Sequence, residues 1–245
     1  YPPLTTKAAA GHLQIAGLVP FSTVDWPGHI CASIFLQGCP WKCPYCHNNA
    51  ITDPKTPGVI KWGQVVSLLE KRGGLLDGVV FSGGEPLMQP VSTLEAALTE
   101  VKELGYKTGM HTGGSYPKKL GKLLDKQLID WVGLDIKALP ADYAQATGSV
   151  PVSAAKAEES LNILTRHPET GHEIRLTLWP PLAGDGNLIE YATQVAKWAH
   201  NHGAQNFTLQ RYRPPNGAPD KNGAWGEAEA QAALKQIGFQ NVTVR

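Results

Sequence analysis

Residues 29–49 read HICASIFLQGCPWKCPYCHNN. The first eight, HICASIFL, have the length and apolar content of a buried strand. The loop directly after them carries cysteines at 39, 43 and 46. Parallel α/β barrels set their chemistry on the loops that follow the C-terminal ends of strands, so this stretch bears on fold and function at once.

The same unit recurs along the chain. Strands are predicted at 29–36, 78–82 (GVVFS), 106–112 (YKTGMHT), 130–137 (DWVGLDIK), 173–179 (EIRLTLW) and 206–212 (NFTLQRY). Helices are predicted near 62–72, 91–104, 117–127, 153–166 and 187–202, with apolar residues at i, i+3 and i+4 spacing, as in Leu94, Leu98, Val101 and Leu104. Six strand–helix repeats around a parallel sheet make this an α/β protein. Residues 1–28, rich in Pro and Gly, are expected to form a lead-in with one or two short strands, and 29–215 the barrel. A helix near 225–237 and the strand FQNVTV are expected within 216–245, packed on that barrel. Unusual residues gather after the strands: the cysteines after the first, SGGEP (82–86) after the second, HTGG (111–114) after the third, DIK (135–137) at the end of the fourth, and Arg175 within the fifth. Five such features on one face point to a site.

Bulk composition narrows the function. The 42% apolar and 18% charged fractions are those of a soluble globular protein, and no stretch approaches the length of a membrane span. The first thirty residues lack a basic start followed by an apolar run, so no secretory signal is expected and the cytoplasm is the expected location. Lys and Arg number 22 against 21 Asp and Glu, without a dense basic block, so neither nucleic acid nor a membrane is expected as a partner. The four cysteines, Cys31, Cys39, Cys43 and Cys46, lie within sixteen residues of one another and do not form a disulfide framework. Clustered thiols in a reducing compartment indicate metal or redox chemistry.

The cysteine loop supports four readings. Cys43-Pro-Tyr-Cys46-His47 matches a haem attachment pattern but leaves Cys39 idle, and Cys43–Cys46 alone matches a dithiol redox loop. A structural zinc site would need His47 or Cys31 as its fourth ligand, yet His47 adjoins Cys46 and Cys31 falls mid-strand. Three cysteines spaced C-x3-C-x2-C can instead hold three irons of a 4Fe-4S cube, leaving the fourth iron open.

Cys39-Pro-Trp-Lys-Cys43-Pro-Tyr-Cys46, with an aromatic residue before the last cysteine, resembles the signature of the radical S-adenosylmethionine (SAM) superfamily. The resemblance implies a partial (β/α)6 parallel barrel, and as cofactors a 4Fe-4S cluster on Cys39, Cys43 and Cys46 and SAM on its open iron. Gly83-Gly84-Glu85-Pro86 looks like the family's GGE motif, which implies that Gly83, Gly84 and Glu85 hold the SAM amine. By the same resemblance Tyr45 would contact the adenine, and Asp135, Lys137 and Arg175 would lie around the carboxylate and ribose. Asp25-Trp-Pro-Gly28, Phe35-Leu-Gln-Gly-Cys39, Cys46-His-Asn48 and Asp135-Ile-Lys137 are similar to segments of activating enzymes for glycyl-radical proteins, especially those of anaerobic ribonucleoside-triphosphate reductase. That likeness implies a glycyl-radical enzyme as partner and flavodoxin or ferredoxin as electron donor. An activase of the pyruvate formate-lyase type and a radical SAM enzyme acting on a small molecule are the alternatives. One departure stands out: where the pyruvate formate-lyase activases carry Asp-Thr-Asn-Gly, this chain has His111-Thr-Gly-Gly114, which loses a carboxylate of a monovalent-cation site and leaves His111 to contact SAM or the partner.

Ordinary roles are expected elsewhere. Cys31 reads as a buried strand residue and most tryptophans as packing anchors, with Trp41, inside the cysteine loop, read as an apolar cover for a cluster. Gly-Asp-Gly at 184–186 reads as a turn before a helix.

Overall fold

The structure, a computed structural model, describes residues 9–214 and 225–245. One sheet holds eight strands in sequence order: β1 (Ile15–Ser22), β2 (Cys31–Leu36), β3 (Gly78–Gly83), β4 (Lys107–Thr112), β5 (Trp131–Asp135), β6 (Gly171–Leu178), β7 (Asn206–Arg211) and β8 (Asn241–Val244). β1 pairs antiparallel with β2, and every later neighbouring pair is parallel. The order is linear, so among the described residues β1 and β8 are free edges and the barrel is open. Crossover helices follow the strands: α1 (Trp62–Lys71), α2 (Val91–Glu103), α3 (Pro117–Asp125), α4 (Tyr143–Thr147), α5 (Val152–Leu164), α6 (Leu188–Asn201) and α7 (Glu227–Lys235). This is the expected α/β partial barrel. The sheet runs through all three sequence segments, since β1 lies in the lead-in and β8 hydrogen-bonds to β7.

Two local differences bear on the site. The strand predicted through Lys137 ends at Asp135; Ile136 still donates its N–H to the Arg175 carbonyl, whereas the Lys137 N–H goes to the Tyr143 hydroxyl at 3.2 Å. Lys137 therefore turns out of the ladder. The β5–β6 crossover also contains α4, whose five residues are too few to show a helical period in sequence.

The strands present two unlike faces, because successive side chains point to opposite sides. Val79, Phe81, Met110, Val132, Leu134, Ile174 and Leu176 face the helices and form the main core with residues such as Leu69, Leu94, Leu98 and Leu161. The alternate residues face the lumen. At its N-terminal end the lumen is filled by a small separate cluster of Trp26, Cys31, Val80 and Trp131. Trp26 enters from the β1–β2 connection and stacks on Trp131 with ring centroids 5.5 Å apart. Its indole occupies space that side chains would need at two lumen-facing glycines: a Cβ at Gly78 would stand 3.0 Å from it and one at Gly109 2.9 Å.

Candidate functional site

The 38–52 loop leaves β2 at the C-terminal mouth of the barrel and is held mainly by its backbone. Gly38 N–H donates to the Ile51 carbonyl (2.8 Å), Cys39 N–H to Thr52 (2.9 Å) and Lys42 N–H to Thr147 (2.8 Å). The Asn48 amide donates to the Gly83 carbonyl at 3.0 Å, tying the loop to the end of β3. Trp41 and Tyr45 are buried beneath the loop, whereas Cys39, Cys43 and Cys46 are partly exposed. Trp41 lies so close over Gly113 that a Cβ there would fall 2.3 Å from the indole, and its ring meets Tyr143 edge-on at 5.9 Å. Tyr45 packs on Trp179 with centroids 5.3 Å apart.

Burial pushes the Cys39 thiol up to about 12, with the Glu85 carboxylate adding to the shift, and burial also raises Cys43. Lys137 opposes the shift at both. Cys31 sits at the far end of β2, about 16 Å from the loop at strand rise. Its thiol is fully buried in the small lumen cluster, 3.7 Å from the Ser22 carbonyl. His47 is exposed. Among the described residues no three His, Cys, Asp or Glu side chains are gathered as a cage for one metal ion.

The glycines of the SGGEP turn are required by protein backbone. A Cβ at Gly83, where φ is +119°, would stand 2.2 Å from the Leu36 nitrogen, and one at Gly84 would stand 2.2 Å from the Gly38 carbonyl oxygen. Their freedom lets β3 and the 38–52 loop touch. The Gly84 and Glu85 N–H groups are used in the same contact, on the Leu36 and Gly38 carbonyls at 2.9 and 2.8 Å. The Glu85 carboxylate, 2% exposed, accepts from the Thr112 hydroxyl (2.7 Å), the Gly113 N–H (2.9 Å) and the Leu87 N–H (3.0 Å). The structure thus places Glu85 as a clamp between the β3 and β4 turns. Burial raises its pKa despite these three donors.

Inside the mouth stands a set of paired charges. Asp135 accepts from Arg175 Nε on one oxygen (2.7 Å) and from Lys137 Nζ on the other (3.0 Å). Burial would raise Asp135, but the two cations outweigh it and hold the carboxyl well below the usual range. Lys137 responds in kind: burial disfavours its charge, and Asp135 more than restores it. The guanidinium of Arg175 crosses β5 over Gly133, where a Cβ would meet it at 2.9 Å. His111 lies deeper, its Nε2 2.7 Å from the Asp25 carbonyl and its Nδ1 3.2 Å from the Ser82 hydroxyl. Only a protonated Nε2 can donate to a carbonyl, so Nδ1 accepts from Ser82. Burial, aided by Arg175, pushes the His111 pKa down to about 3. Burial would raise Asp25, but hydrogen bonds from Ser33 and Ser22 and the Arg175 charge leave it lowered overall.

The mouth therefore gathers Cys39, Cys43, Cys46, Tyr45, Asp135, Lys137 and Arg175, with Gly83, Gly84 and Glu85 forming its wall and both His111 nitrogens engaged below. Sequence reasoning missed Thr112, Tyr143 and Trp179. Thr112 was visible only as part of HTGG, and Tyr143 carried no signal, because its partners Trp41 and Lys137 come from other elements.

The sequence matches the Radical SAM superfamily over residues 33–180, more than half of the chain. The chain belongs to the radical SAM superfamily. Among curated relatives of this radical SAM protein are a putative glycyl-radical enzyme activating enzyme of Methanocaldococcus jannaschii, 36% identical over 124 residues (50% of each chain), and two pyruvate formate-lyase-activating enzymes. That of Clostridium pasteurianum is 32% identical over 143 residues, covering 55% of this chain and 57% of its own, and that of Staphylococcus aureus is 35% identical over 156 residues, covering 56% and 58%. The chain spans about half the length of these relatives. Solved structures share the fold at low identity. An anSMEcpe structure with bound AdoMet has a TM-score of 0.62 at 15% identity, covering 82% of this chain and 56% of its own, and QueE of Escherichia coli has 0.53 at 12%, covering 99% of both.

The cofactors of this radical SAM protein are a 4Fe-4S cluster and SAM, and the donors at the mouth fit them. Three thiols on one loop are the soft ligands of an iron–sulfur cube, and neither Cys31 nor His47 is placed to supply a fourth. The buried hydroxyl of Tyr45, on the cysteine loop itself, has no hydrogen-bond partner among the described residues, which leaves a polar group there for a ligand to satisfy.

Proposed function

We propose that this radical SAM protein is an activating enzyme that forms a glycyl radical on a partner enzyme, with anaerobic ribonucleoside-triphosphate reductase as that partner. The observation that carries the reading is the three-thiol loop set over a mouth of paired charges, in a chain whose relatives include named activating enzymes. When bound there, the cluster and SAM would supply the radical chemistry that removes a hydrogen atom from a backbone glycine of the partner. The chain's own residues bind, orient and shield. Cys39, Cys43 and Cys46 hold iron, and Trp41 and Tyr45 keep water from beneath the loop. Tyr45, whose ring is fixed against Trp179, is suited to stack on the adenine.

Asp135, Lys137 and Arg175 form a preorganised array whose cations suit a carboxylate and whose anion suits a ribose hydroxyl. The carbonyls and the Glu85 oxygens of the SGGEP turn suit the SAM amine, while the same carboxylate holds Thr112 and Gly113 in place. With both nitrogens satisfied, His111 supports the lumen from below and keeps its proton on Nε2. No side chain need act as acid or base.

The relatives named as pyruvate formate-lyase activases favour a second partner, and the segments around Asp25, Phe35 and Cys46 favour the reductase. The deciding experiment mixes the reconstituted, reduced protein and SAM with each partner in turn under anaerobic conditions. A glycyl-radical EPR signal is expected with the reductase. A signal with pyruvate formate-lyase alone would move the partner, and SAM cleavage with no signal from either would overturn the activase reading.

A further inference from the structure

Lys119 stands where elementary electrostatics would not put a cation. It lies in the first turn of α3, a turn without an acidic residue, where the positive end of the helix dipole disfavours an ammonium. A lysine so placed ordinarily keeps its head in water, and the adjacent Lys118 is exposed. Lys119 instead reaches, half-buried, to the 3-10 turn Pro86–Met88 that follows Glu85. Its Nζ donates to the carbonyls of Leu87 (2.8 Å), Gln89 (2.9 Å) and Met88 (3.3 Å), so all three ammonium donors serve one turn. The same ammonium lies over the Tyr116 ring, 4.8 Å from its centroid. Burial disfavours its charge, and the Glu85 carboxylate works in the opposite sense.

The turn that Lys119 grips is the one that Glu85 begins. Glu85 is its N-cap: the carboxylate accepts the Leu87 N–H and the Glu85 carbonyl accepts the Met88 N–H at 3.0 Å. Lys119 holds the other end. Two contacts carry the position of the turn on to the cysteine loop. The Gln89 amide donates to the Gln37 carbonyl at 2.9 Å, and Met88 packs on Gly38, where a Cβ would stand 3.2 Å from the sulfur. Gly38 directly precedes Cys39.

We infer that Lys119 is a positioning residue for SAM, a tethered cation that fixes the Glu85 turn so that its oxygens are set before the SAM amine arrives. The inference rests on the proposed reading of the SGGEP turn as the receptor of that amine. One ammonium shared by three carbonyls pins each against the others, and charge-assisted hydrogen bonds are the strong ones. Acceptors that are already ordered bind more tightly, because less ordering is left to the binding step. The charge of Lys119 has the same sign as that of the amine, so its help comes through the backbone of the turn and not through direct attraction. Its loss is therefore felt in binding more than in the chemical step.

The test compares three variants of the full chain. Lys119→Met keeps the stem and removes the ammonium, Lys119→Arg keeps a cation with donors, and Lys118→Met removes a charge from the same helical turn but not from the clamp. Hydrogen exchange at the Leu87, Met88 and Gln89 amides is followed in the cofactor-free protein. SAM affinity is read, after cluster reconstitution, from the change SAM induces in the EPR spectrum of the reduced cluster. Lys119→Met is expected to speed that exchange and to weaken SAM, each by about tenfold. The KM for SAM in dithionite-driven cleavage should rise in step, with kcat held within about twofold. Lys119→Arg is expected to recover most of both losses, and Lys118→Met to show neither. Unchanged exchange in Lys119→Met, or SAM binding that tightens as relief of like-charge repulsion alone would have it, would overturn the inference and leave the reading of the turn standing. Equal losses in Lys118→Met would overturn it too. Faster exchange with unchanged SAM affinity would remove the turn as the amine's receptor, and the inference with it, so the two failures are told apart.

Discussion

His111 and Glu85 show how far a single residue's surroundings redirect its role. With its pKa at about 3, His111 stays neutral in the folded protein while its unfolded counterpart titrates near 6.5. Between those values the unfolded chain binds more protons, so the residue's stabilising contribution is full above about 6.5 and falls as the pH drops, by about 1.4 kcal/mol per pH unit. His111→Asn is expected to flatten the dependence of unfolding free energy on pH between 6 and 4.5, measured as the difference from wild type in urea melts. At Glu85 the expectation concerns stability without SAM. Glu85→Gln turns an acceptor into a donor opposite Thr112, Gly113 or Leu87 and is expected to cost about 2 kcal/mol in the cofactor-free protein. A Glu85 used only for SAM would show no such loss.

At the scale of elements, the 38–52 loop and the β4 turn fit as one piece. Gly113→Ala would press on Trp41 and is expected to cost about 2 kcal/mol, while Trp41→Leu in the same protein should relieve most of that pressure. The double variant is therefore expected to be less destabilised than the two single changes summed, a non-additivity that urea unfolding measures directly. This contact also marks where sequence reading stops. The strands and crossover helices were legible because their helix-facing sides repeat with fixed periods, as in Val79 and Phe81 or Leu94 and Leu98. The cysteines and SGGEP were legible because their spacing is local. The reasons for Gly78, Gly109, Gly113 and Gly133 were not, since each glycine answers a Trp or Arg brought in from another element. Tyr143 and Thr112 were hidden for the same reason.

The whole molecule can be separated from its metal. Because the loop's anchors are backbone hydrogen bonds, the triple change of Cys39, Cys43 and Cys46 to Ala is expected to leave the circular dichroism spectrum unchanged. It should move Tm by no more than about 4 °C, the equivalent of roughly 1 kcal/mol in a chain of this size, while abolishing the iron–sulfur absorption. Global unfolding of that variant would mean that the metal is structural.

The Trp26 stopper has a consequence for traffic through the barrel. With Trp26, Trp131, Val80 and Cys31 packed at one end of the lumen, the deepest positions among the described residues are approached from the mouth, and that imposes an order on its visitors. Whatever sits deepest has to arrive first and depart last. Under the proposed function, SAM is expected to be in place before a polypeptide loop covers it, and turnover to slow as that loop is held longer.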